Sequence, residues 1–284
     1  MTRALARAAL RLPGRVVPGW FPLVVEPLHA RVAPAASEVE ADVHGSRMLL
    51  RLDDYTQRKI YYRAFEEAEA RLYARLLRPG DVAVDVGANV GYFTLLFARL
   101  VGEEGFVVAV EPVLPNLDRL RRNLGLNGCG NVAVEAVAAG ARSGTLRLGL
   151  PAAAAAGVPE SGWYSVSGGG AAVDVAVAPL DDLLEHRIPG RRLRLVKVDV
   201  EGMEPEVLEG LARTLAERPP DAVSLEVGRD LLAARALSAD DALRPLLRHG
   251  YRLHRVGVGG RLRHFAPPRP WWPPDAVATV VALR

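Results

Sequence analysis

The chain has 284 residues, 50% hydrophobic and 24% charged, which is enough for a substantial core and excludes disorder for most of its length. Lys plus Arg number 36 against 33 for Asp plus Glu, and this net +3 is too small an excess to argue for nucleic acid. No apolar run approaches the roughly 18 to 20 residues of a spanning helix. Cys129 is the only cysteine, so neither an internal disulfide nor a cysteine zinc cluster can form, and a cytoplasmic location is the expectation.

Arg3, Arg7 and Arg11 fall on one helical stripe of Met1–Leu12, and Pro13-Gly14 end it. This stretch reads as a short solvated helix docked on the body, ahead of a membrane-surface anchor, so no firm membrane association is expected. A Pro-rich stretch follows to Ala36, and Val39–Leu52 alternates as a hairpin across His44-Gly45. Residues 1–54 are therefore read as an N-terminal extension, and 55–284 as the main domain. Helical spacing runs from Thr56 through Tyr62, Phe65 and Leu72 to Leu76, with Arg78-Pro79-Gly80 as the stop. Strands are expected at Val82–Val86, Phe106–Val110, Val132–Val137, Leu193–Val200 and Ala222–Val227. Helices are expected at Tyr92–Leu100, Leu114–Leu126 and Pro205–Arg218, and Tyr251–Val256 with Val277–Leu283 form a closing antiparallel pair. Strands alternating with helices mean an α/β, Rossmann-like doubly wound sheet.

Asp85 to Gly91, D-V-G-A-N-V-G, joins the first of these strands to its helix, where open α/β sheets bind ligands. Gly87 and Gly91 allow a tight turn and close approach to a ligand. Glu111 lies 20 residues beyond Gly91 at the end of the next strand, placed to accept hydrogen bonds from a ribose diol. Asn89 stands where a second glycine would admit a pyrophosphate, which disfavours a nicotinamide cofactor and favours S-adenosylmethionine.

These residues, with Arg78-Pro-Gly-Asp81, the E-P-V-L-P-N block from Glu111 to Asn116, and Lys197-Val-Asp-Val-Glu-Gly-Met-Glu running on to Leu211, resemble the FkbM-type S-adenosylmethionine-dependent methyltransferases over about Tyr55–Arg284. The chain departs from that pattern at Ala138-Ala-Gly-Ala141, where relatives often carry a Ser-Asp pair. The resemblance implies a seven-stranded methyltransferase sheet with the cofactor over the first two strand ends. Asp85, Gly87, Asn89 and Gly91 would line its methionine part, Glu111 would hold the ribose, and Asn116 would contact the cofactor or pack structurally. Asn123 reads as a helix-packing amide. The resemblance also points to a bacterial enzyme of secondary metabolism that O-methylates a hydroxyl of a secondary metabolite or a sugar.

Lys197, Asp199 and Glu201 alternate at the end of an expected strand, so all three would face one side of the sheet as the catalytic set. Charges on a buried strand must pair, bind or react. An acid there can take the proton of an attacking hydroxyl, whereas the alternative is a Lys197–Asp199 ion pair with Glu201 capping the next helix. A cation shared by Asp199 and Glu201 would want more oxygen ligands, so no metal is expected. Glu226 ends a neighbouring strand. Ser161 to Gly170, with Trp163, Tyr164 and Ser165, reads as a loop able to fold over an acceptor, and Ala152–Ala156 as another loop. The six histidines show no metal spacing, and Trp271 and Trp272 sit in a stiff proline-rich tail. The competing readings are a nicotinamide-dependent oxidoreductase and an inactive cofactor-binding module at a membrane surface.

Overall fold

Apolar β-branched runs need cover on both faces, and the fold supplies it. In the computed structural model, which describes residues 21–33, 38–149, 161–162, 172–264 and 277–284, the centre of the molecule is an eight-stranded sheet. In chain order the strands are β1 (Glu38–Val43), β2 (Ser46–Arg51), β3 (Val82–Val86), β4 (Phe106–Val110), β5 (Val132–Glu135), β6 (Ala138–Ala139) and β7 (Gly144–Gly149), then β8 (Ala172–Ala178), β9 (Leu195–Val198), β10 (Ala222–Gly228), β11 (Arg252–Val256), β12 (Leu262–His264) and β13 (Val277–Leu283). The central sheet has the order β12-β11-β13-β10-β9-β3-β4-β5. From β10 to β5 neighbours are parallel, and β13, β11 and β12 close the other side antiparallel. The expected seven strands are present, and short β12 adds an eighth by folding back on β11. Chain order reverses between β3 and β9, which is the topological switch point where such sheets hold ligands.

Two apolar layers sandwich the sheet. Ala83, Val107, Leu195 and Val281 face helices Glu67–Leu76 and Tyr92–Val101, whereas Val84, Val108, Val196 and Leu225 face helices Leu180–Arg187, Glu204–Glu209 and Ala239–Arg248. The β1–β2 hairpin turns at His44 (φ 52°) and Gly45 (φ 79°), the pair of positive φ values that matches strand twist in a two-residue turn. Its Val43, Met48 and Leu50 join the same cluster as Phe93 and Phe97. Asn123 fixes it there: Oδ1 accepts from the Leu49 N–H at 2.8 Å, and Nδ2 donates to the Val90 carbonyl at 2.9 Å.

Three elements differ from expectation. The helix read from Thr56 to Leu76 is two, Tyr55–Tyr61 and Glu67–Leu76, separated by Arg63 (φ 54°) and Glu66 (φ 42°). An unbroken helix would put Glu66 on one face with Tyr62 and Tyr73, both buried, and so drive an acid into the apolar layer. Pro205–Arg218 likewise divides into Glu204–Glu209 and Ala212–Glu217, and Gly210 between them packs on the Gly140 backbone so closely that a Cβ would lie 2.1 Å from its carbonyl oxygen. Finally, β9 stops at Val198, so Glu201 is not on the strand with Lys197. The sequence reading left β7 and β8 unassigned. They pair antiparallel in a three-stranded sheet with β6, around a small cluster of Val113, Ala138, Leu148 and Val175. The expected Met1–Leu12 helix, the Ala152–Ala156 loop, residues 163–170 and Trp271-Trp272 lie outside the described residues. No described helix is long and apolar enough to cross a membrane.

If the hairpin belongs to the core, Met48→Ala, at a fully buried position, should cost about 2–4 kcal/mol in urea unfolding and keep a single transition. An unchanged main transition would show that the hairpin folds separately.

Candidate functional site

After β3, the loop passes through Gly87 (φ 78°), Asn89 (φ 51°) and Gly91 (φ 96°) before helix Tyr92–Val101. The Gly87 and Ala88 N–H groups donate to the Val110 carbonyl at 2.9 and 3.0 Å, tying the loop to the end of β4. A Cβ on Gly87 would stand 1.9 Å from the Asp199 carbonyl oxygen. The close approach that this glycine permits is therefore to the segment after β9, so the glycine loop and the candidate catalytic acid are in direct contact.

Glu111, just past β4, is buried, and both its oxygens are engaged. Oε2 accepts from the Asn89 N–H at 2.8 Å, and Oε1 accepts from the Val113 N–H at 2.9 Å and from Asn116 Nδ2 at 3.4 Å. Burial raises its pKa to about 7 in spite of these bonds. Asn89 and Asn116 also share a partner: each Nδ2 donates to the Ser161 carbonyl, at 2.7 and 3.0 Å. Asn89 Oδ1 is buried with no hydrogen-bond partner among the described residues. Glu111, Asn89, Asn116, Gly87 and Gly91 thus come together at the ends of β3 and β4. A carboxylate with acceptor capacity left on Oε2 beside an orphan amide oxygen fits the hydroxyls and cationic end of a nucleoside-bearing amino acid. Asp85 lies deeper. Oδ2 accepts from the Thr94 hydroxyl at 2.6 Å, and Oδ1 is 3.5 Å from Lys197 Nζ.

Lys197 is buried, 3.2 Å from Asp199 Oδ2, and its Nζ lies 5.1 Å from the centre of the Phe93 ring. Burial alone would lower its pKa, but Asp199 and Asp85 outweigh that and hold the ammonium well above its usual range. Lys197 and Asp199 therefore meet as expected from their spacing. Glu201 sits instead in the turn beyond, with φ 52°. The turn's N–H groups at Val200 and Gly202 donate to Glu204, whose carboxyl burial pushes up to about 7.

The carboxyls that converge on Asp199 are those of Glu66 and Glu226. Their oxygens all lie within 4.8 Å of one another. Burial, then the Asp199 charge, pushes Glu66 up to about 8, and the same two causes raise Glu226 well above the ordinary range. Glu226 was legible as a strand-end acid. Glu66 was not, because it falls inside what reads as one continuous helix, and only the break at its own left-handed backbone brings it to the site.

A doubly wound sheet with a glycine loop after β3, a buried acid past the end of β4 and an acid-lysine pair at the switch point is the arrangement expected of a nucleoside-cofactor domain. Residues 85–253, more than half of the chain, match the model of the methyltransferase FkbM domain, and the chain belongs to that family. It is an S-adenosylmethionine-dependent methyltransferase domain, so the nicotinamide reading falls away. The chain is 35% identical over 156 residues to the methyltransferase sdnD of Sordaria araneosa, covering 45% of this chain and 59% of that protein. It is 40% identical over 58 residues to a protein-L-isoaspartate O-methyltransferase of Ignicoccus hospitalis, covering 20% of this chain and 28% of that one. The match thus spans three fifths or less of either relative. The solved structure of an FkbM methyltransferase from Methylobacillus flagellatus aligns with a TM-score of 0.44 at 18% identity, over 81% of this chain and 55% of that one.

Two outcomes follow from this geometry. Gly87→Ala should destabilise the protein before any cofactor is added, by at least about 1–3 kcal/mol, because its Cβ meets backbone and its φ is left-handed. Calorimetry of the cofactor-free protein decides this, and an unshifted melting temperature there would mean that the loop yields freely. In the second, burial pushes the Glu111 carboxyl up to about 7, so if it holds the ribose as the carboxylate, affinity for S-adenosylmethionine should fall by up to about tenfold per unit as pH drops below 7. Glu111→Gln should bind weakly and flatten that dependence. Calorimetric titration at pH 5.5 to 8.5 would exclude the role if wild-type affinity were constant.

Proposed function

We propose that this chain methylates a hydroxyl of a small-molecule acceptor, a secondary metabolite or a sugar, with S-adenosylmethionine as donor. The observation that carries this reading is the set of Glu66, Asp199 and Glu226 carboxyls beside the Lys197 ammonium, at the switch point and against the glycine loop. The cofactor supplies an electrophilic methyl on a sulfonium. The acceptor oxygen forms the new C–O bond as the S–C bond breaks, and the hydroxyl proton must leave to a nearby base. Asp199 is suited to take it. Lys197 Nζ lies 3.2 Å from its carboxyl, while Glu66, pushed up to about 8 by burial and the Asp199 charge, and Glu226, raised by the same causes, can donate hydrogen bonds to Asp199 or to the acceptor when protonated. Glu201, in the turn after Asp199, would orient the acceptor. The isoaspartate relative, by name an O-methyltransferase, also supports oxygen as the acceptor atom.

Asp199→Asn should lower kcat by about 10² to 10⁴-fold with cofactor affinity retained, and Glu201→Gln should lose less. The wild-type rate should rise as pH climbs through about 8, where Glu66 gives up its proton and the cluster becomes more basic. A screen of sugars and hydroxylated metabolites with radiolabelled S-adenosylmethionine tests reaction and substrate class together. Label transferred only to amines or carbon, or full turnover in Asp199→Asn, would sink the reading.

A further inference from the structure

A buried polar chain runs from the hairpin to the ribose acid, and neither the site nor the proposed chemistry uses its outer half. At the end of β2, the Arg51 N–H donates to Gln57 Oε1 at 2.9 Å, and the Gln57 N–H donates to Asp54 Oδ1 at 2.8 Å. The same Asp54 oxygen accepts the Ser161 hydroxyl at 3.1 Å. The Ser161 carbonyl then takes the side-chain amides of Asn89 and Asn116, which flank Glu111. Asp54, Gln57, Ser161, Asn116 and Glu111 are each 5% exposed or less, and burial raises the Asp54 pKa. Asp54 needs only the Gln57 contact to cap its helix, so its bond to a residue 107 positions away serves something else.

We propose that Asp54 and Ser161 form a latch that positions the ribose side of the S-adenosylmethionine site, an inference that rests on Glu111 being the ribose acid. The argument is one of competition for acceptors. Asn116 Nδ2 already lies 3.4 Å from Glu111 Oε1 and would close on that carboxylate without the Ser161 carbonyl, while Asn89, whose backbone N–H holds Oε2, would lose the partner of its side-chain amide. Ser161 takes both amides and fixes their orientation, which keeps Asn116 at the edge of Glu111 Oε1, leaves that carboxylate with acceptor capacity for a ribose hydroxyl, and holds Asn89 Oδ1 buried and without a hydrogen-bond partner among the described residues. A backbone carbonyl can hold that place only if its segment is anchored, and the hydroxyl bond to Asp54 is the anchor. Asp54 and Ser161 are therefore positioning residues, acting on the cofactor through Asn89 and Asn116.

The test is binding of S-adenosylmethionine to the full chain by calorimetric titration, with S-adenosylhomocysteine as a second probe. Ser161→Ala and Asp54→Ala should each weaken binding about five- to tenfold. The double variant should be no weaker than the worse single one, and Ser161→Thr, which keeps the hydroxyl, should recover most of the affinity. Hydrogen exchange at the Asn89 amide should be slowed by cofactor in the wild type and much less in Ser161→Ala. Glu111→Gln separates the two levels. If it weakens binding while Ser161→Ala and Asp54→Ala bind like the wild type, the latch is refuted and the ribose assignment stands. If Glu111→Gln itself binds normally, the ribose assignment fails and the latch with it. Equal losses in Ser161→Thr and Ser161→Ala would also refute the latch, because shape rather than the hydroxyl would then matter.

Discussion

One buried ammonium organises this molecule. Lys197 lies in the middle strand of the sheet, 4% exposed, where an unpaired charge would cost several kcal/mol. Its neutralisation dictates what stands on either side. Asp85 is its register partner on β3, Ser224 its partner on β10, and Asp199 follows two residues on. The Phe93 ring covers it from the adjoining helix, and Thr94 from the same helix satisfies the far oxygen of Asp85. The ends of β3 and β9 are thereby pinned together at the switch point, which is where the glycine loop and the acid must meet if both are to touch one reaction.

The same cation is outnumbered. Asp85 and Asp199 already stand beside it, so burial, and then the Asp199 charge, pushes Glu66 up to about 8 and raises Glu226 well above the ordinary carboxylate range. The left-handed backbone at Glu66 shows that the chain accepts strain to bring one of these acids in. A folded-state pKa above the unfolded one means stability is fully present below about 4.5 and is lost as pH rises through about 8. Such a cost suits a site that exchanges protons, since carboxyls a few ångströms apart can pass one between them over the neutral range.

The sheet was legible because buried parallel strands are written as unbroken apolar runs: β3 and β4 appear in the sequence with their observed ends. The cofactor half of the site was legible for a related reason, since its parts lie on two successive βα turns with fixed spacing. The acceptor half was less so. Asp199 and Lys197 were found through strand alternation, yet the strand stops before Glu201 and the alternation does not extend to it. Glu66 and Asp54 were invisible as site residues, because each reaches the site through a tertiary turn that no local period records, whereas Ser161 read as the start of a loop over the acceptor and stands instead beside Asn89 and Asn116. The short strands β7 and β8 do alternate, Leu146 with Leu148 and Val173 with Val175, but they flank a stretch whose low complexity reads as loop throughout.

What makes the two halves act as one site is backbone contact. The Asp199 N–H donates to the Val86 carbonyl at 3.1 Å, and its own carbonyl fills the space where a Gly87 side chain would be. The acid cannot shift without moving the glycine loop, and the loop cannot open without carrying the end of β9. Methyl transfer needs the acceptor oxygen in line with the breaking S–C bond, and misplacement by about 1 Å can cost about a hundredfold. Binding the cofactor with residues 85–116 and the acceptor with 66, 199 and 226 on separate, loosely joined elements would leave that alignment to chance. On the proposed reaction, coupling them through β3 and β9, with Lys197 between, would fix the base relative to the methyl before either substrate arrives, so the charge buried in the sheet would contribute to rate through geometry without touching a reacting atom.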